Sequence, residues 1–370
     1  MTPLFLSAFL LNTGLTVTLI GIIFYLIDRF HAGLFQLGLL SGIGSFVFMS
    51  AAWLCGKFFS RRYTAKALTR FGICCFILGF LFIPHLPSLR WVYLIYPIGS
   101  FGMGIFWPSL ERWISSESDG GALKQNMSLF NLSWSPGQII APFLAGVLFE
   151  REKLLPIRVG VLLALPILFL LSFASEKKGL THATDSGGKT GKPPKLLVIC
   201  WLSNFAGWFA GATFRSLFPT YGLSMNLSPT CIGAFLLLIG VGQVLFFFVL
   251  SRKEGWEKRP GFFLVWEGIA LVSILAIAVA YQPVVWMAAF FLFGCFTGAA
   301  YSGSILLSVK DSRTSARYAG FHETTIGLAV CLGPFLGGTA GSVFGVRAPY
   351  VVSAVALGSV MVTQWQLLKE

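Results

Sequence analysis

The chain is 370 residues long, 56% hydrophobic and 15% aromatic, with only 11% charged residues and a formal net charge of +13. Ordinary soluble domains carry about 25% charged residues, and 27 bases with 14 acids cannot coat a globule of this size. A conventional soluble protein is thereby excluded, and lipid must solvate most of the surface.

Twelve apolar runs follow one another, at 4–27, 34–55, 67–86, 89–112, 126–149, 154–174, 196–219, 229–250, 260–280, 284–308, 318–343 and 348–367. Each is long enough to cross a hydrocarbon core of about 30 Å at about 1.5 Å per residue. None shows the alternation of a membrane barrel, so helices are expected throughout. The first run lacks a basic leader and leads straight into the second, which predicts a true span rather than a cleavable signal peptide. Its Asn12 and Thr16 are candidates for solute contact. Its threonines are also expected to bond back to their own helix. Asp28 and Arg29 are expected at the outer water interface.

Span two opens on Leu37-Gly38 and is followed by the basic stretch from Gly56 to Lys66. Span four ends in "FWPSLERW", residues 106–113, where Glu111 and Arg112 read as a self-satisfied gating or proton-coupling pair at the inner mouth. Span five contains "APFLAG" at 141–146. Residues 175–194, "SEKKGLTHATDSGGKTGKPP", are polar and rich in glycine and proline, the one stretch that reads as a flexible linker. Span seven, "LSNFAGWFAGATFRSLFP" at 202–219, is the richest in polar groups. Asn204, Trp208 and Arg215 share one helical face at spacings of four and seven. A guanidinium at that depth is expensive unless it faces a cavity or a partner. Two readings stand for Arg215: a cavity-facing solute or coupling group, or a structural pair or snorkelled base. In span ten, Thr297 and Tyr301 share a face. Span eleven opens with "RYAGFHETT" at 317–325, where His322 and Glu323 could carry a proton or cap the inner gate. "GPFLGG" at 333–338 follows.

That last phrase repeats "APFLAG" after 192 positions, and Asn204 repeats Asn12 at the same offset. "GSFGMGIF" at 99–106 is echoed by "GCFTGAAY" at 294–301, and Leu37-Gly38 by Ile232-Gly233. The chain therefore reads as two six-span halves, residues 1–174 and 195–370, in parallel repeat. A small-Pro-x-x-small-Gly phrase suits a bent helix in close contact with a partner, because small residues let backbones approach in lipid. Its two copies point to the interface between the halves.

The bases set the expected orientation. With both termini cytoplasmic, six of the 27 bases lie outside (Arg29, Arg90, Arg151, Lys153, Arg158 and Arg347), Arg215 lies within a span, and the remaining twenty lie inside. The net positive charge is thus a topology signal and not a sign of nucleic-acid binding. The seven cysteines fall in or at the edges of apolar runs without metal-ligand spacing, and read as small packing residues.

The six-plus-six layout, the central linker and the local motifs together resemble the major facilitator superfamily of secondary transporters over essentially the whole chain. After span two that family writes Gly, three residues, an acid and a base. Here Gly56, Arg61 and Lys66 match, while Ser60 stands in the acid's place. In span five the family's exporters often carry G-x-x-x-G-P-x-x-G-G. This chain keeps Gly137, Pro142 and Gly146 with Ala141 and Ala145 between them, and span eleven carries Gly333, Pro334, Gly337 and Gly338. The resemblance implies an all-α polytopic fold of twelve transmembrane helices that works by alternating access. Spans five and eleven would pack on spans eight and two of the opposite half. Span nine would lie at the periphery, so Glu267 is not expected to take part in function.

The expected function is secondary active transport of a small organic solute, with proton-coupled export as its finer form. The competing expectation is a transporter-like membrane protein that senses, scrambles lipid or scaffolds an assembly. No phosphate loop, H-E-x-x-H or nucleophile elbow is present in the sequence, so no enzyme activity and no cofactor or metal are expected. The expected partners are a small-molecule solute, the bilayer and protons, with no nucleic acid, for a chain acting as a monomer.

Overall fold

A computed structural model of the chain describes residues 2–117, 122–176, 193–309 and 315–369. The described residues are helical with short connections and contain no strand. The helices are α1 (Thr2–Phe30), α2 (Leu34–Leu54), α3 (Ala65–Leu81), α4 (Leu89–Ser116) and α5 (Ala122–Arg151). Next comes α6, in two pieces (Leu155–Leu162 and Leu165–Phe173). The remainder are α7 (Lys195–Ser224), α8 (Pro229–Ser251), α9 (Pro260–Val279), α10 (Pro283–Val309), α11 (Ser315–Phe344) and α12 (Ala348–Lys369). They coincide with the twelve expected spans. Eleven are long and apolar enough to cross a membrane, the eleven being counted among the described residues. The exception is α4, which is long enough but less apolar, with two prolines and several glycines and polar aromatics along its middle. Residues 177–192, most of the expected linker, lie outside the described residues, as do Lys310 and Arg313.

By contacts the chain divides into two compact units. The first comprises 1–32, 43–183 and 226–233, and the second 33–42, 184–225 and 234–370. The start of α8 thus groups with the first unit and the start of α2 with the second.

In the first unit, the end of α2 runs through a π-helical turn, Cys55–Phe59, into Ser60–Arg62. The α3 N-terminus leaves backbone N–H groups without helical partners. The Glu176 carboxylate accepts from Ala65 N (2.6 Å) and Lys66 N (3.2 Å), and Thr64 Oγ1 accepts from Ala67 N. An anion at that end also complements the helix dipole. Arg112 of α4 donates to the carbonyls of Ser60 and Tyr63, which ties the stretch after α2 to the end of α4. Lys66 donates to the carbonyls of Ser172 (3.0 Å) and Ala174 (2.8 Å) at the end of α6.

The repeated phrase explains the grouping of the units. In the first, α5 meets the opening of α8: a side chain at Gly233 would collide with the Pro142 carbonyl, and one at Gly146 with the Pro229 carbonyl. Glu150 then accepts from Thr230 N at 2.8 Å, capping α8. In the second unit α11 meets the opening of α2 in the same way, with Gly38 against the Pro334 carbonyl and Gly338 against Leu34 O. Close backbone approach at these four glycines requires the missing Cβ. Gly337 faces elsewhere, toward Thr213, Leu217 and Pro349 of α7 and α12.

An aromatic core holds the second unit. Phe214, Phe218, Tyr221, Trp286, Phe290 and Tyr350 are fully buried and join α7, α10 and α12. Phe218 and Phe290 have ring centroids 4.7 Å apart, and Tyr221 and Trp286 5.3 Å. Edge-on and tilted packing of this kind adds to the simple burial of apolar area.

Candidate functional site

Within the second unit, α7, α8 and α10 line a small, partly open cleft. Five of its lining residues lie on α7: Asn204, Gly207, Trp208, Gly211 and Arg215. Ile239 and Gln243 come from α8, and Thr297 and Ala300 from α10. The small residues make the room. A Cβ at Gly207 would sit 3.4 Å from the Phe296 ring, and one at Gly211 3.7 Å from Arg215 Nη1. Helical side chains lean back toward the N-terminus. The Arg215 guanidinium accordingly lies back over Gly211, and its central carbon reaches 5.7 Å from the Trp208 ring. The buried aromatics Phe214 and Phe218 on either side fix the α7 backbone that carries it.

Arg215 is the charged group of the cleft, and it is short of partners. Among the described residues it makes no hydrogen bond and no ion pair; the Trp208 face is its one attraction. A cation–π contact yields about 0.5–2 kcal/mol, whereas taking an ion out of water costs several kcal/mol. The Trp208 ring therefore does not compensate the charge; Arg215 is only half-buried, so its donors are left to water or to a solute in the cleft. Asn204 adds a second vacancy: it is 1% exposed, and its Nδ2 has no hydrogen-bond partner. Its repeat mate Asn12 is satisfied, donating to the Trp134 carbonyl at 3.0 Å. The Thr297 hydroxyl spends its proton on Gly294 O at 2.8 Å and keeps its oxygen lone pairs free for a ligand donor. The Tyr301 ring stands beside the cleft, 6.5 Å from Trp208 and 5.2 Å from His322, centroid to centroid.

The remaining sequence candidates divide by place. Asn12 and Thr16 belong to the first unit; Thr16 is half-buried, and Thr13 bonds back to Phe9 O. Gly137 packs against Thr13 of α1, and Gly333 against Phe209 and Thr213 of α7. Gly56 and Arg61 are exposed near the π turn, where nothing crowds the Gly56 position. Glu111 has contacts of its own, while Arg112 reaches to the stretch after α2 rather than along α4. His322 is fully buried with Nδ1 at 2.6 Å from Ser304 Oγ, and Nε2 stands 3.8 Å from the exposed Glu323.

Gln243 escaped the sequence reading, and Glu267 found its partners only in the fold. Gln243 lines the cleft, and the signal for it was a lone amide in an otherwise apolar α8. Glu267, not expected to take part in function, has a structural role: it is fully buried, and its Oε1 accepts from Ser203 Oγ (2.6 Å) and Gln364 Nε2 (2.7 Å). Gln364 also donates to Ile199 O, so one polar knot joins α7, α9 and α12.

The Major Facilitator Superfamily sequence profile matches residues 4–329. The chain belongs to that superfamily. It is accordingly an integral, multi-pass membrane protein. A Bacillus subtilis (strain 168) relative, the uncharacterized MFS-type transporter YfkF, is 24% identical over 241 residues, which cover 63% of this chain and 60% of the relative. The match thus spans less than two thirds of that relative's length. Among solved structures, the nucleoside transporter NupG superposes with a TM-score of 0.78 at 13% identity, covering 100% of this chain and 99% of its own. A mutant of the peptide transporter POT in complex with sulfate gives 0.78 at 11% identity, covering 100% and 93%. A bacterial homologue of the human lysosomal transporter Spinster, inward-facing and occupied, gives 0.74 at 14%, covering 98% and 96%. These likenesses establish the superfamily fold.

Proposed function

We propose that this superfamily member is a secondary transporter that carries a small organic anion across the membrane by alternating access. The observation that carries the reading is the Arg215 guanidinium, set beside Trp208 in the α7 cleft with no acceptor among the described residues. Its planar donors suit a carboxylate or sulfonate, which they would grip in two-pronged fashion. Asn204 Nδ2 supplies a further donor, and Trp208 and Tyr301 offer flat apolar surface for an aromatic body. Ser304, His322 and Glu323 tie α10 to α11 and are assigned to gating, as are Glu111 and Arg112 on α4. The twenty-to-six distribution of bases supports cytoplasmic termini.

Calorimetric titration of the purified protein with benzenesulfonate, which stays charged at every working pH, tests the site. Charge-assisted hydrogen bonds contribute about 1.5–3 kcal/mol, so Arg215→Ala should weaken binding by about 10- to 100-fold or more. Arg215→Lys keeps the charge but loses the fork, and should fall between the two. Melting curves recorded alongside separate loss of the site from loss of the fold. Wild-type affinity in a folded Arg215→Ala protein would remove Arg215 from the site.

A further inference from the structure

We propose that this carrier is an obligatory exchanger: it crosses the membrane loaded with an aromatic organic anion and returns only with another. The inference rests on the transport reading above and concerns what the empty protein can do. Transport requires the cleft to be closed off from both sides at some point in each crossing. With an anion bound, the group closed in is a hydrogen-bonded ion pair. Without one, it is a lone guanidinium.

Proteins that return empty need an internal counter-charge that moves onto the site once the solute leaves, and among the described residues no acid lines the cleft. Its lining is Asn204, Arg215, Gln243 and Thr297 with apolar and small residues, and no acid is among them. No described carboxylate pairs with Arg215, and neither the Trp208 face nor the buried Asn204 amide, whose free group is a donor, can neutralise it. Asn204 and Arg215 both present donors and both lack acceptors, so the empty site is unsatisfied twice over. Closing such a site excludes water from a charge and a buried polar group together, and breaking a buried pair by removing one partner is strongly unfavourable. Occlusion is therefore easy with an anion and rare without one. A carrier with that asymmetry exchanges solute for solute, and the gradient of the counter-anion sets the direction of net movement.

The test compares uptake of radiolabelled benzenesulfonate into proteoliposomes preloaded with unlabelled benzenesulfonate or with buffer alone, at equal ionic strength. The sulfonate does not leak as a neutral acid. Uptake into loaded vesicles should be faster by on the order of 100-fold, the penalty expected for hiding an unpaired ion. Arg215→Lys should keep the requirement for internal anion at a raised KM, because the charge remains. Equal initial rates in loaded and empty vesicles would overturn obligatory exchange while leaving anion transport standing. Uptake into empty vesicles driven by a proton gradient at the loaded rate would do the same. No uptake in either preparation, from protein that binds benzenesulfonate in solution, would overturn the transport reading and the exchange with it.

Discussion

Arg215 and Glu267 are both charged side chains set within spans, and their surroundings separate them. Glu267 receives two donors on Oε1, leaves Oε2 without a hydrogen-bond partner, and sits fully buried where α7, α9 and α12 pack. Arg215 receives nothing but a ring face at the edge of a cleft. The first arrangement is that of a polar knot that fixes helix packing, and the second leaves a charge open to the cleft. Gln364→Leu should therefore lower the stability of the second unit by about 1–3 kcal/mol, since it strips a donor from a buried acid. Anion affinity should stay at the wild-type value. Melting temperature and benzenesulfonate titration on the same preparation check this, and a lost affinity with unchanged melting would place the knot in the binding machinery. Arg215 was legible from sequence because an arginine deep in an apolar run is conspicuous, and Asn204 and Trp208 followed from helical spacing. The packing role of Glu267 was not legible because its partner Gln364 lies 97 positions away. Only packing brings the two together.

Helix pairs obey the repeat more faithfully than single residues do. "APFLAG" and "GPFLGG" place Pro142 and Pro334, Gly146 and Gly338 at matching contacts with α8 and α2. The phrases at 37–38 and 232–233, which seemed only an echo, supply the glycines on the other side of those contacts. The same logic failed for Gly337, whose neighbours are Thr213, Leu217 and Pro349. Adjacent glycines on a helix point about 100° apart, and sequence alone did not say which one faced the crossing helix. The distinction has a consequence. Under the proposed alternating access, the α5–α8 and α2–α11 contacts would re-form in each cycle, whereas the α11–α7 contact would belong to static packing. Gly146→Leu and Gly338→Leu, which drive a side chain into backbone carbonyls, should lower stability and also cut transport per folded molecule at least tenfold, while Gly337→Leu, which meets side chains, should act on stability alone through overpacking of about 1–3 kcal/mol. Uptake normalised to folded protein, with melting curves, separates them. Equal effects at all three positions would contradict the division into moving and static contacts.

Across the whole molecule, composition and apolar periodicity were enough for twelve membrane helices, because burial in lipid imposes a simple length and hydropathy rule. The cleft was not legible in the same way. Its floor is made by residues that are absent, the side chains missing at Gly207 and Gly211, and its walls come from three helices far apart in the chain. The distribution of bases predicts that the α8–α9 connection faces the cytoplasm and the α9–α10 connection the outside. Lys253 and Gln282 are exposed in those connections. In a cysteine-free background, an impermeant thiol reagent added to intact cells should label Gln282→Cys and spare Lys253→Cys, and the reverse pattern would invert the topology. Whether the α7 cleft is a site for an organic anion is decided by titrating the unaltered protein with benzenesulfonate and with its neutral counterpart benzenesulfonamide. The two share shape and aromatic ring and differ in charge. An unpaired Arg215 in the cleft should make the sulfonate bind tighter by about 10- to 100-fold, and equal or tighter binding of the sulfonamide would show that no anion site is there.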